Sequence, residues 1–135
     1  MIQKTVKLAE TGPINIRIRQ ELFENSPTVQ ADGALLKQVF LNLIKNAEEA
    51  CGPGGELVIK TETLSPWLKL CFSDNGPGIP PENLGHLFEP FFTTKPTGMG
   101  MGLAICQRII QAHGGQLEVK NRFPIGTEFT ILLPT

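Results

Sequence analysis

The sequence predicts a two-layer α/β sandwich, a sheet with helices packed on one of its faces. Several short runs alternate apolar and polar residues, the mark of half-buried strands, and two longer stretches carry apolar residues at helical spacing. These follow one another as ββ-α-ββ-loop-α-ββ, in a chain of 135 residues that is the size of one domain.

Residues 4–9 (KTVKLA) and 14–19 (INIRIR) read as two strands around a turn at Gly12-Pro13. Asp32 then opens a helix. Leu35, Leu36, Val39, Phe40, Leu43, Ile44 and Ala47 recur at helical spacing, so one face of it is core. The helix stops before Gly52-Pro53-Gly54-Gly55. Residues 56–62 and 67–73 read as strands, with Ser65-Pro66 between them. From Asp74 to Gly102 the chain is rich in Gly, Pro and Asn and is no regular element throughout. Structureless loops longer than roughly 15 residues in a compact domain are mostly functional or disordered. A second helix runs from about Leu103 to His113 and ends at Gly114-Gly115, a C-cap signal. Strands at about 116–121 and 126–133 close the chain. There is no internal repeat and no low-complexity tract, and residues 1–135 are expected to form a single domain.

Lys plus Arg is 12 and Asp plus Glu is 13, a net charge of −1, which argues against a general nucleic-acid binder. With 41% hydrophobic residues the chain is globular despite its many turns. No stretch approaches the roughly 18 apolar residues of a membrane span, and MIQKTVKLAETG holds no signal-peptide core. The domain is therefore expected to be cytoplasmic and without membrane contact; any membrane part of a larger receptor would lie outside it. Cys51, Cys71 and Cys106 are odd in number and include no Cys-x-x-Cys pair. Neither a zinc site nor a disulfide framework is expected, and the three cysteines read as core without chemistry.

Asn42 and Asn46 lie four residues apart on one face of the first helix, beside its apolar stripe. An amide oxygen is a hard neutral ligand suited to Mg²⁺ carried in on a phosphate. On spacing alone, the plainer reading of two exposed or locally bonded amides is favoured. Asp74-Asn75-Gly76-Pro77-Gly78-Ile79 follows directly on a strand. An aspartate there can accept from an exocyclic amine such as adenine's, and the glycines let a ring approach the backbone, though such turns are common without any ligand. Gly98-Met99-Gly100-Met101-Gly102-Leu103 runs into the second helix. Its backbone N–H groups could hold phosphate oxygens, or it could be a hinge. It matches neither the P-loop nor Gly-x-Gly-x-x-Gly. Between them, Phe88-Glu89-Pro90-Phe91-Phe92-Thr93-Thr94-Lys95 offers three phenylalanines that could anchor a lid, fill the core or face a partner.

In their order and spacing these segments resemble the catalytic and ATP-binding domain of sensor histidine kinases, within the superfamily of gyrase, chaperone and mismatch-repair ATPases. LLKQVFLNLIKNAEEA resembles the N box, DNGPGI the G1 box, FEPFFTTK the F box and GMGMGLAI the G2 box; GTEFTILLP resembles the closing strand. The resemblance covers about residues 25–135, and the short lid is similar to that of nitrogen-regulation-type kinases. It implies a Bergerat-type ATP-binding fold, with a mixed sheet packed on helices. It implies Asn46 as Mg²⁺ ligand and Asn42 as its catalytic neighbour at the phosphates. It places Asp74 on the adenine amine, with Thr127 beside it through water, and Gly76, Gly78 and Ile79 at the adenine wall. Gly98, Gly100 and Gly102 would hold the phosphates, with Lys95 a further contact, and Ala50, Met101 and Leu103 would line the same site. Met99 and Met101 stand where Thr and Leu are more usual. Asn42 stands where the related hydrolases carry a water-activating glutamate, which favours transfer over hydrolysis.

The family's phospho-acceptor histidine sits in a separate helical hairpin next to an acidic residue. Here Gly85-His86-Leu87 and Ala112-His113-Gly114 have no acidic neighbour in sequence, and both histidines read as structural, His113 with a charge that would suit a helix C-terminus. The implied activity is transfer of the γ-phosphoryl group of Mg-ATP to a histidine of that separate hairpin in two-component signalling, with a response regulator downstream. The isolated domain is expected to be a monomer. Two alternatives stand beside it: a serine kinase that restrains a sigma factor, and a non-catalytic nucleotide-sensing module.

Overall fold

The structure is a computed structural model that describes residues 16–21, 31–52, 54–90 and 102–135. Strand β1 (Ile16–Glu21) leads to helix α1 (Gly33–Cys51), then β2 (Gly55–Leu64) and β3 (Trp67–Asp74). A short helix α2 (Pro81–Leu84), helix α3 (Gly102–Ala112), β4 (Gln116–Asn121) and β5 (Thr127–Pro134) follow. The strand expected at 4–9 lies outside the described residues. Of the one expected at 14–19, residues 16–19 are strand, which continues to Glu21, and residues 14 and 15 lie outside the described residues. Within the segment read as irregular, Pro81 at the helix start and Glu82 in the first turn set up α2.

The described strands form one mixed sheet in the order β1-β2-β3-β5-β4. β1 pairs with β2 in parallel; the other neighbours are antiparallel. Leu57 and Ile59, Leu70 and Phe72, and Phe129, Ile131 and Leu133 alternate onto one face, where each is buried. Helices α1 and α3 cover that face with Leu36, Val39, Phe40, Leu43 and Ile44 from the first and Cys106, Ile109 and Ile110 from the second. Burying each such aliphatic or aromatic side chain stabilises by about 1.5–3 kcal/mol. Phe40 and Phe72 tie α1 to the sheet, ring centroids 5.9 Å apart. The opposite face carries the exposed ion pairs Arg19–Glu21, Lys60–Glu21 and Lys120–Glu128, which contribute little to stability.

Both helices are punctuated as their sequences indicate. Asp32 caps α1, its Oδ1 accepting from the N–H groups of Ala34 and Leu35 at 3.0 and 3.1 Å, a cap contributing about 1 kcal/mol. At the end of α3, Gly115 N–H reaches Ile110 C=O and Gly114 N–H reaches Gln111 C=O, the Schellman pattern. His113 joins the two helices. Its Nδ1–H donates to Ile109 C=O at 2.7 Å, and its Nε2 accepts the N–H of Asp32 at 3.0 Å. His113 is therefore structural, a hydrogen-bond bridge between the two helices. His86 does have an acidic neighbour in space, three residues on: Glu89 Oε1 lies 3.0 Å from its Nδ1. Cys71 and Cys106 are core, whereas Cys51 is half-buried at the end of α1. Burial pushes the Cys106 thiol up to about 12, as expected of a small apolar filler. No helix among the described residues is long and apolar enough to cross a membrane.

Candidate functional site

The register places Asp74, Thr127 and Asn121 in one row across β3, β5 and β4, one step beyond the row of buried Phe72 and Phe129 and partly buried Val119. The helix–sheet interface thus ends in polar groups. Asp74 is 3% exposed. Its Oδ1 accepts the N–H of Gly76 at 2.9 Å and of Thr127 at 3.2 Å, while Oδ2 bonds to no described residue. The carboxylate is thereby oriented by backbone donors at one oxygen and left with an acceptor at the other. Burial pushes its carboxyl above the usual carboxylate range. The N–H groups of Gly76 and Thr127 and the charge of Arg122 oppose that shift.

Asn75 extends the ladder between β2 and β3: its side-chain oxygen accepts Glu56 N–H at 2.9 Å, and its own N–H donates to Glu56 C=O. Past it the loop closes on α1. A Cβ on Gly76 would stand 3.3 Å from the carbonyl of Ala50, so this glycine lets the loop backbone lie against the helix. Gly78, at φ +84°, turns the chain back towards β4, and a Cβ there would meet Asn121 Oδ1 at 3.1 Å.

At the other end of the site, α3 begins against α1. A Cβ on Gly102 would lie 3.1 Å from Asn42 Oδ1. The Asn42 amide nitrogen donates to Gln38 C=O at 3.2 Å, the local bond of the plainer reading, which leaves the oxygen facing the start of α3. Asn42, Asn46 and Ala50 form one i, i+4 row about 12 Å long on α1. The row runs from the positive N-terminus of α3 to the loop after Asp74. Asn46, half-buried at its centre, carries an amide oxygen suited to a hard cation. Among the described residues no cluster of acidic, His or Cys side chains could cage a metal alone. A single amide oxygen of this kind suits a hard cation that brings further oxygen ligands with it.

The structure brings together Asn42, Asn46, Ala50, Asp74, Gly76, Gly78, Ile79, Gly102 and Thr127. Thr127 stands beside Asp74, its backbone N–H donating to Asp74 Oδ1. Leu103 is partly buried and packs against the core. Lys95, Gly98, Gly100 and Met101 lie outside the described residues, as do Met99, Phe91 and Phe92; Phe88 packs on the core. Sequence reasoning missed Asn121, Arg122 and Gly126. Asn121 bonds Ile79 twice, and the Arg122 guanidinium donates to Asp74 C=O at 2.7 Å. It also missed Cys51, whose thiol burial pushes up, helped by the charge of Asp74 beside it.

Residues 31–135 match the family described as histidine kinase-, DNA gyrase B- and HSP90-like ATPase. The chain belongs to this ATPase family. It is 42% identical over 145 residues to the sensory histidine kinase/phosphatase NtrB of Rhizobium leguminosarum bv. phaseoli, covering 95% of this chain and 38% of that protein. The chain thus spans little more than a third of that relative's length. Its fold is that of a histidine kinase catalytic domain. The catalytic domain of histidine kinase ThkA superposes with a TM-score of 0.89 at 37% identity, covering 98% of this chain and 89% of that one. ThkA in complex with the response regulator protein TrrA matches at 0.84 and 34% identity, covering 98% and 39%.

Proposed function

We propose that this chain is the ATP-binding half of a two-component histidine kinase, binding Mg-ATP and donating its γ-phosphoryl group to a histidine on a separate dimerisation hairpin. The observation that carries this reading is the Asp74 carboxylate, held by two backbone N–H groups at one oxygen and open at the other, at one end of the Asn42–Asn46–Ala50 row. An exocyclic amine can donate to Oδ2, and the base can lie against Gly76 and Gly78. The triphosphate then follows α1 towards Asn42 and the N-terminus of α3, whose N–H groups and dipole suit anionic oxygens. Lys95, Gly98, Gly100 and Met101 are proposed as further phosphate-side contacts on the ground of the family resemblance.

Phosphoryl transfer asks of the protein mainly positioning and charge stabilisation. The γ-phosphorus–oxygen bond breaks, ADP leaves with that oxygen, and a phosphorus–nitrogen bond forms on the acceptor imidazole. Bound Mg²⁺ would offset the phosphate charge, with Asn46 as its protein ligand. Asn42 offers a carboxamide and no general base for water, which favours transfer over hydrolysis. The acceptor and the response regulator lie in the rest of a cytoplasmic kinase assembly, in keeping with the greater length of the relatives. The domain itself, residues 1–135, is a monomer in this reading.

Mixing the chain with a hairpin protein bearing the acceptor histidine and γ-labelled ATP should give acid-labile phosphate on the hairpin and none on the chain alone. Stable phosphate on the isolated chain would sink the reading. Asn46→Ala should keep ADP affinity in the absence of metal and lose most of the gain that Mg²⁺ brings, seen by titrations with and without the ion.

A further inference from the structure

The β4–β5 turn holds the Asp74–Ile79 loop at both ends. At the first residue of the loop, the Arg122 guanidinium donates to Asp74 C=O at 2.7 Å and Thr127 N–H donates to Asp74 Oδ1 at 3.2 Å. At the last, Asn121 forms a two-way clamp. Its Oδ1 accepts Ile79 N–H and its Nδ2 donates to Ile79 C=O, both at 2.8 Å. One side chain thus satisfies the donor and the acceptor of one peptide position, as a neighbouring strand would. The turn is itself closed by Arg122 N–H on Gly126 C=O at 2.8 Å, and Gly126 lies directly against the Asp74 carbonyl. Between its clamped ends the loop contains Gly76, Pro77 and Gly78, of which Gly78 sits at φ +84°. Glycines leave a backbone many states, so a loop of this composition needs outside ties to keep one conformation.

We infer that Asn121 and Arg122 are positioning residues for adenine recognition, acting through Ile79 and Asp74 rather than on the nucleotide. They hold the loop backbone so that the free oxygen of Asp74 faces the amine and the base meets a fixed wall. This rests on the ATP-site reading above. It predicts an effect on base discrimination, because adenine offers a donor at the position where hypoxanthine offers an acceptor.

The test titrates the full chain and its Asn121→Ala, Asn121→Asp and Arg122→Met variants with Mg-ADP and Mg-IDP, with thermal unfolding run in parallel. Asn121→Asp keeps the acceptor for Ile79 N–H and sets an oxygen against Ile79 C=O, so it tests the clamp where the alanine variant fails to fold. The expected result is cooperative unfolding with ADP affinity down roughly tenfold, the worth of one good hydrogen bond. IDP affinity changes little, so the ADP-over-IDP preference shrinks, and amide exchange at Ile79 quickens. Folded variants that keep the wild-type preference overturn the inference, and so does an equal loss for both nucleotides, which would mean general loosening. If the wild type binds neither nucleotide, the ATP-site reading itself falls. Exchange at Ile79 then still decides the clamp: unchanged protection in Asn121→Ala overturns it.

Discussion

Asp74→Asn is expected to weaken Mg-ADP binding by about 100-fold or more, roughly the worth of one charge-assisted hydrogen bond plus a mismatched donor. The domain should remain as stable as the wild type or become more so. The two effects have one origin. The asparagine oxygen can still accept from Gly76 and Thr127 N–H, so the local structure holds. The amide nitrogen then takes the place of Oδ2 and presents a donor to the donor amine of adenine. The same change suits a base with an oxygen there, so the preference for ADP over IDP should shrink or invert. Stability moves the other way because burial dominates at Asp74 and holds its carboxyl above the usual range. A carboxyl whose pKa is higher folded than unfolded contributes stability that is full below the unfolded pKa and is lost as pH rises through the folded one. At neutral pH the wild type bears a buried charge that the variant lacks. Adenine binding needs the ionised form, so wild-type ADP affinity should fall as pH drops through that raised pKa, and Asp74→Asn should show no such fall. Titration calorimetry across pH, with thermal melts of both proteins, measures both halves.

Gly126→Ala should be among the most damaging single substitutions in the domain. Gly126 sits at φ +117°, and a Cβ there would stand 2.1 Å from the Asp74 carbonyl oxygen. No rotamer relieves that clash, because the backbone fixes the Cβ position and the atom it meets is itself backbone. The hairpin must shift off β3, breaking the Arg122 bond to that same carbonyl and the Thr127 bond to the carboxylate. Strain and lost bonds together should destabilise by about 3 kcal/mol or more, a fall of roughly 10 °C in melting temperature for a domain of this size. Nucleotide binding should be lost alongside. Gly52→Ala is the control: its φ is +68°, yet nothing lies within 4 Å of the added carbon. Its φ of +68° with ψ of −169° is a conformation that glycine alone favours, so it should lose about 1–3 kcal/mol from backbone conformation alone, with binding kept. Thermal melts of the two variants beside the wild type make the comparison.

How far the sequence revealed the fold depended on how local each signal was. The helical stripe, the Asp32 cap and the glycines after α3 are near-neighbour patterns, and each fell where the pattern put it except Leu35, which lies at the edge of the stripe and is exposed. β1 runs two residues past its expected end, and a two-residue step leaves every side chain on its face, so alternation alone could not fix that end. Helix α2 was hidden because one turn has too few residues for a period, and the surrounding Gly and Pro outweighed the Pro-Glu start. In the site, Asn42 and Asn46 were legible as an i, i+4 pair. That Gly102 would touch one end of their row and Gly76 the other is a tertiary fact. Asn121 and Arg122 act across 42 and 48 residues, through side-chain bonds to backbone that leave no trace in periodicity.

The central claim, an adenine-nucleotide site built on Asp74 and the Asn42–Asn46–Ala50 row, is tested most directly by titrating the purified chain with Mg-ADP and Mg-ATP by calorimetry. The account predicts one saturable site per chain for each nucleotide, with IDP bound more weakly. Cooperatively folded protein that binds neither nucleotide at millimolar concentration would contradict it.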